Sequence, residues 1–155
     1  MVVVSAPRAA EPVWRVLEAI PDPELPAVSI VDLGIVRYVE WRGTQGPHVG
    51  LTPTYSGCPA TAVIRATVRE ALQRAGYADV CLEEILTPAW SSDDLSRAAH
   101  AKLAAFGIAP PSHEVACPRC GSHATRLLSE FGSTPCKAHH CCTACLEPFD
   151  RFKCL

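Results

Sequence analysis

Cys117-Pro118-Arg119-Cys120-Gly121 and Cys142-Thr143-Ala144-Cys145 set two Cys-x-x-Cys pairs on either side of a short polar segment. A tetrahedral ion needs four soft ligands arriving from two turns, and each such bend aims two thiolates at a point about 2.3 Å away. Pro118 pre-sets one backbone angle, and Gly121 tolerates the positive φ that a metal knuckle requires. The reading is a C-terminal zinc ribbon with Cys117, Cys120, Cys142 and Cys145 as ligands. The 21 residues between the pairs slightly exceed the usual spacing, but each doubling of a loop costs only about 0.6 kcal/mol. Cys136, Cys141, Cys154, His139 and His140 are near enough in sequence to compete, and spacing alone selects Cys142. Reduced cysteines without metal are the bland alternative. Iron, as a rubredoxin-like centre or a cluster, uses the same four ligands. A closed four-thiolate zinc has no open position for substrate, so the cage reads as scaffold and docking surface.

Outward from the cage, cysteine usage bears on the compartment. Seven of the nine cysteines fall between Cys117 and Cys154, with only Cys58 and Cys81 upstream. A disulfide framework would staple both halves, so a reducing, cytoplasmic setting is expected. The 155 residues accommodate a domain of roughly 110 residues followed by a small module. The division expected is a flexible N-terminus at 1–10, an α/β domain at 11–109 and the ribbon at 110–155. A hydrophobic fraction of 48% with 19% charged residues supports a packed core. Formal net charge is -2, with five Lys/Arg against four Asp/Glu in 112–155 and nine against twelve before it. Without a basic field, nucleic acid is argued against as a partner. No apolar run approaches the roughly 20 residues that cross a bilayer, so no membrane is expected.

In the first 109 residues, Val13, Val16, Leu17 and Ile20 repeat as one helix face, ended by Pro21 and Pro23. Asp22-Pro23-Glu24-Leu25-Pro26 predicts an ordered loop leading to a turn at Gly34. Ile35 to Trp41 and the segment around Val49 and Leu51 predict two hairpin strands. Pro53 to Pro59 forms a loop before a helix whose face carries Ile64, Thr67, Val68, Ala71, Leu72 and Ala75, closed by Gly76. A third strand is expected from Val80 to Leu86, with Cys81 in the core. Ser91 reads as an N-cap answered by Asp94, opening a last helix with Leu95, Ala98, Ala99, Leu103 and Phe106 buried and Gly107 as its stop. Ile108 to Ser112 reads as a linker. The order αββαβα predicts a small two-layer α/β (α+β) domain, with helices on one face of a mixed sheet.

Strand, glycine loop, helix places Cys58 at a helix N-terminus. There a dipole and free amides favour a thiolate, which suits a nucleophile or an iron ligand; a small buried hydrophobe is the alternative. Asp22, Glu24 and Asp32 surround two prolines with no His, Ser or Lys in a catalytic pattern, and read as turn and capping residues. Thr52, Thr54, Tyr55 and Ser56 either line a polar pocket beside Cys58 or satisfy loop amides. His48, His100, His113 and His123 read as isolated surface residues. With no acid/base pair beside the thiol, a non-catalytic protein is expected.

The blocks Asp22-Pro23-Glu24-Leu25-Pro26, Val31-Asp32-Leu33-Gly34, Thr54-Tyr55-Ser56-Gly57-Cys58-Pro59 and Leu86-Thr87-Pro88-Ala89-Trp90 resemble the signature of a small α/β family acting in iron-sulfur cluster assembly. Joined to Cys117-Pro118-Arg119-Cys120-Gly121-Ser122, Ser129-Glu130-Phe131-Gly132-Ser133-Thr134 and Pro148-Phe149-Asp150, they resemble its PaaD branch, accessory proteins of bacterial phenylacetate degradation. That resemblance implies an accessory role in maturing the multicomponent oxygenase that epoxidises phenylacetyl-CoA. It implies partners among that oxygenase's components, its diiron subunit and iron-sulfur reductase above all. It also places the family's reactive cysteine on Cys58, with Asp22, Glu24 and Thr54 in neighbouring motif positions, for transient binding of iron or a cluster. A homodimer, and a stoichiometric subunit role in the oxygenase, are left open by the residues.

Overall fold

Val13 and Leu17, one turn apart, are fully buried on helix α1 (Glu11–Glu18) of the computed structural model, which describes residues 10–155. The expected flexible N-terminus at 1–10 lies outside the described residues, apart from Ala10, which caps α1 and is buried. The chain divides into two compact units, Met1–Trp90 and Ser91–Leu155.

The first unit continues from α1 through strands β1 (Val36–Trp41) and β2 (Pro47–Leu51), helix α2 (Ala60–Arg74) and strand β3 (Cys81–Glu84). Its sheet runs in the order β1-β2-β3, antiparallel across β1/β2 and parallel across β2/β3. The mixed sheet follows from the connections: Gly43 to Gly46 is short enough for a hairpin, whereas a parallel pair needs the α2 crossover. Val39, Val49 and Leu82 are aligned across the three strands and buried, as are Ile64, Val68 and Leu72 on α2. Thr67, placed on that helix face from sequence, is exposed and donates its hydroxyl to the Val63 carbonyl at 2.9 Å. The opposite face of the sheet carries Tyr38, His48, Gly50, Cys81 and Glu83, since side chains alternate along a strand. A Cβ at position 50 would sit 2.4 Å from Tyr38 Cε1, so glycine there gives the tyrosine ring its place.

The second unit opens with a short 3₁₀ turn, Ser92–Asp94, then helix α3 (Arg97–Ala105) and strands β4 (Ile108–Ala109), β5 (Thr125–Ser129), β6 (Lys137–Cys142) and β7 (Pro148–Phe152). Its sheet runs β4-β7-β6-β5. Three expectations change here. Ser91 does make a capping box with Asp94, but for the 3₁₀ turn; Ser96 caps α3 by accepting from the Ala99 N–H. Ala98 and Phe106 are exposed: Ala98 stands about 100° round the helix from Ala99, and Phe106 is the C-cap residue beyond the last turn of α3. Ile108 and Ala109 are strand rather than linker, paired in parallel with Asp150 and Arg151. That pairing puts β4 in the sheet of the second unit, which begins at Ser91.

Candidate metal centre

Two backbone knuckles build the thiolate cage. In the first, Gly121 N–H donates to the Cys117 carbonyl at 2.8 Å and Cys117 N–H to the Ser122 carbonyl at 2.9 Å, with Gly121 at φ 75°. In the second, Cys142 N–H donates to the Glu147 carbonyl at 2.9 Å, and the positive φ falls on Leu146, at 63°. Arg119 Nη1 reaches from one knuckle to Glu147 Oε2 on the other at 2.7 Å. The four sulfurs of Cys117, Cys120, Cys142 and Cys145 all lie within 4.8 Å of one another, with Cys117–Cys145 at 3.7 Å and Cys120–Cys142 at 3.6 Å. Those spacings are too long for disulfides, whose S–S bond is about 2.05 Å. They match the edge of about 3.8 Å for a tetrahedron with Zn–S bonds of about 2.3 Å. The donor set therefore fits a closed zinc site.

At these spacings the four thiols crowd one another. Cys142 is held down to about 7, first by the Cys145 N–H aimed at its sulfur. Cys145 is pushed up to about 12: the Glu147 N–H pulls it down, and burial with its fellow thiols outweighs that. A divalent cation is what lets all four lose their protons together. The competing residues stand elsewhere. Cys136 is buried against Thr134 Oγ1 at 3.1 Å; Cys141 lies near the Cys142 and Leu146 carbonyls; Cys154 is exposed near Ser112. His139 is held by Asp150 at 3.0 Å, and His140 stacks on Phe149.

Cys58 is half-buried in the loop before α2, whose N-cap, Pro59, offers no side-chain cap to the first turn. Thr54 Oγ1 lies 3.9 Å from its sulfur. Asp22 and Glu24 do not join it: among the described residues they form no common cation-ligating group with Cys58. Asp22 is buried and spends Oδ1 on the Glu24 and Leu25 N–H groups at 2.9 and 2.8 Å. Asp32 Oδ2 accepts from Ser29 N–H at 3.2 Å, while Ser29 Oγ accepts from Asp32 N–H at 3.0 Å. Turn-building is what these acids do.

Two family models match the chain: an iron-sulfur cluster assembly protein over residues 10–80 and a PaaD zinc beta ribbon domain over residues 105–153. A relative from Escherichia coli (strain K12), named as a subunit of a "Putative 1,2-phenylacetyl-CoA epoxidase", is 46% identical over 97% of this chain and 96% of its own length. The chain belongs to the PaaD family. Solved structures resembling it include a domain of unknown function from Bacillus anthracis, at 30% identity and TM-score 0.56, covering 60% of this chain and 89% of that one. A conserved hypothetical protein from Thermotoga maritima matches at 26% identity and TM-score 0.51, covering 60% and 91%. The PaaD ribbon model ends at residue 153 and spans the whole four-cysteine cage.

Two residues of this PaaD-family chain lie where sequence reasoning did not put them. His48, read as surface, is buried, with Nδ1 3.1 Å from Glu83 Oε1; Cys81, read as core, is exposed. The signal was register: only the parallel pairing of β2 with β3 reveals that His48 and Cys81 are neighbours. Glu83 gathers the cluster, accepting from Tyr38 Oη, from Arg42 at 2.7 Å and facing His48. Those hydrogen bonds, Tyr38's foremost, hold its carboxyl down to about 2, while burial and Glu83 push the Tyr38 hydroxyl up to about 12.

Proposed function

We propose that the protein is a non-catalytic maturation factor that helps deliver iron or an iron-sulfur cluster to the phenylacetyl-CoA-epoxidising oxygenase, acting in the cytoplasm. What carries the reading is a half-buried thiol, Cys58, in a loop with Thr54 at the uncapped start of α2, within the part of the chain that matches an iron-sulfur cluster assembly protein. Cys58 would be the transient ligand to the cargo, with Thr54 beside it, while Asp22 and Glu24 shape the neighbouring loop. Cys117, Cys120, Cys142 and Cys145 would hold a structural Zn2+, which supplies folding free energy to the ribbon. The ribbon is the docking surface for the client, either the diiron subunit or the iron-sulfur reductase.

The relative's name favours a second reading, a stoichiometric subunit of the working oxygenase. Reconstitution separates them. Oxygenase components purified with full metal content are assayed with and without this chain. Turnover that needs the chain only while the client is being matured supports the maturation role. A requirement that persists with fully metallated components supports the subunit role and overturns maturation. Metal analysis of the purified chain is expected to return one zinc; none would remove the structural-zinc assignment.

A further inference from the structure

The sheet of the first unit carries a ligand cluster that this function leaves unused. His48 on β2 and Cys81 on β3 are register partners, and Glu83 follows two residues after Cys81, so all three project from one face. A ring nitrogen of His48, the sulfur of Cys81 and a carboxylate oxygen of Glu83 lie within 4.8 Å of one another. The His48 side chain is only 10% exposed, and its Nδ1 faces Glu83 Oε1 at 3.1 Å, so the ring is already held with a nitrogen turned toward the carboxylate. Cys81 is exposed, so an ion meets its sulfur directly from solvent.

We propose that His48, Cys81 and Glu83 form a second metal site, taking one late first-row divalent cation of the Zn2+ class. The donor set decides the class: imidazole and thiolate select such ions over Mg2+ and Ca2+, which prefer oxygen. Thiolate and carboxylate together neutralise the cation. Three protein ligands leave one tetrahedral position open, so this ion exchanges readily, unlike one in the closed ribbon cage. Ligand atoms around such an ion stand about 3.3–3.8 Å apart. His48 and Glu83 are already at 3.1 Å, and rotation of the exposed Cys81 thiol closes the remainder.

Arg42 is the built-in competitor. Its guanidinium, half exposed, lies 2.7 Å from Glu83 Oε1 and also pairs with Glu40. A cation at Glu83 displaces it toward Glu40, where it already has a partner. Removing Arg42 therefore tightens the site, a direction that a structural role for the cluster would not produce.

The test is titration of the full-length chain, reduced and carrying one zinc, with Co2+, following absorption and zinc content together. One further equivalent is expected, with a thiolate-to-cobalt charge-transfer band and no loss of zinc. Cys81→Ser abolishes the band and weakens binding by more than about 100-fold, beyond the loss typical of an outer-shell partner. Cys154→Ser, at an exposed thiol outside both sites, leaves both unchanged. Arg42→Ala, at an exposed position that keeps the fold, tightens binding about two- to fivefold, the range of one exposed ion pair. Cobalt that only replaces the ribbon zinc overturns the site. So does a second equivalent that survives Cys81→Ser, is lost in Cys154→Ser, or is not tightened by Arg42→Ala.

Discussion

Asp22 and Cys58 stand in the same motif-rich half of the chain, yet their chemistry separates them. The Asp22 carboxylate is committed to two backbone N–H groups and is buried, so Asp22→Ala leaves those donors without their acceptor. The expected cost is about 1–3 kcal/mol, read as a lower denaturation midpoint at unchanged slope. Among the described residues the Cys58 thiol makes only a long contact, with Thr54, so Cys58→Ser is expected to change stability by less than about 0.5 kcal/mol while abolishing production of active oxygenase. Full oxygenase activity in that variant would sink the proposed role of Cys58. A pH effect belongs to Glu83. Its carboxyl, at about 2 against an ordinary 4.5, binds its proton more weakly folded than unfolded. Its contribution is therefore present above about pH 4.5 and lost as pH falls toward 2. Glu83→Gln should flatten that acid limb in a stability-versus-pH series; an unaltered limb would show that Glu83 is not its source. The turn-building acids were legible in the sequence because Asx chemistry is local to two or three residues. His48 and Cys81 were not, because their surroundings depend on which strand lies next to which.

At the scale of elements, periodicity located α1 and α2, and prolines and a glycine marked their ends, because both signals lie within one segment. β4 escaped: a two-residue strand has no period, and only its bond to β7 defines it. The cap of α3 shifted because Ser91 and Ser96 both satisfy the rule for an N-cap, and the 3₁₀ turn uses the first. Ser96→Ala is then the substitution that frays α3, at about 1 kcal/mol, whereas Ser91→Ala should leave the helix itself intact. Amide exchange along 97–105 distinguishes the two. The knuckles show a second asymmetry. Gly121 takes its positive φ freely, but the corresponding conformation in the second knuckle falls on Leu146, which is 75% exposed and buries little. A left-handed non-glycine residue costs about 1–2 kcal/mol, and glycine's greater unfolded entropy returns about 0.5–1. Leu146→Gly is expected to stabilise the zinc-loaded ribbon by about 0.5 kcal/mol; a lower melting temperature would mean that the leucine side chain packs on something other than this chain's own core.

For the whole molecule, the decisive fact is that each unit has its own source of stability. The first has buried residues on two helices and on a three-stranded sheet, so the hydrophobic effect sustains it without metal. In the second, Ala99, Leu103, Ile108 and Phe152 are buried, and beside the cage Ala109, Cys117, Cys142 and Phe149 form a cluster in which two of the four residues are themselves cage ligands. A unit of this size buries too little apolar surface for a large margin, and structural zinc contributes about 10–16 kcal/mol of apparent binding energy in comparable modules. Removing zinc takes away that contribution and leaves the cage thiols with no ion to hold them together. Treatment with a strong chelator under reducing conditions should therefore abolish amide-exchange protection of β5, β6 and β7 while α1, α2 and β1 to β3 keep theirs. Restored zinc should return the protection. Simultaneous loss in both units would show that the first depends on the ribbon for its fold, and retention in both would show that the cage is not what holds the second together.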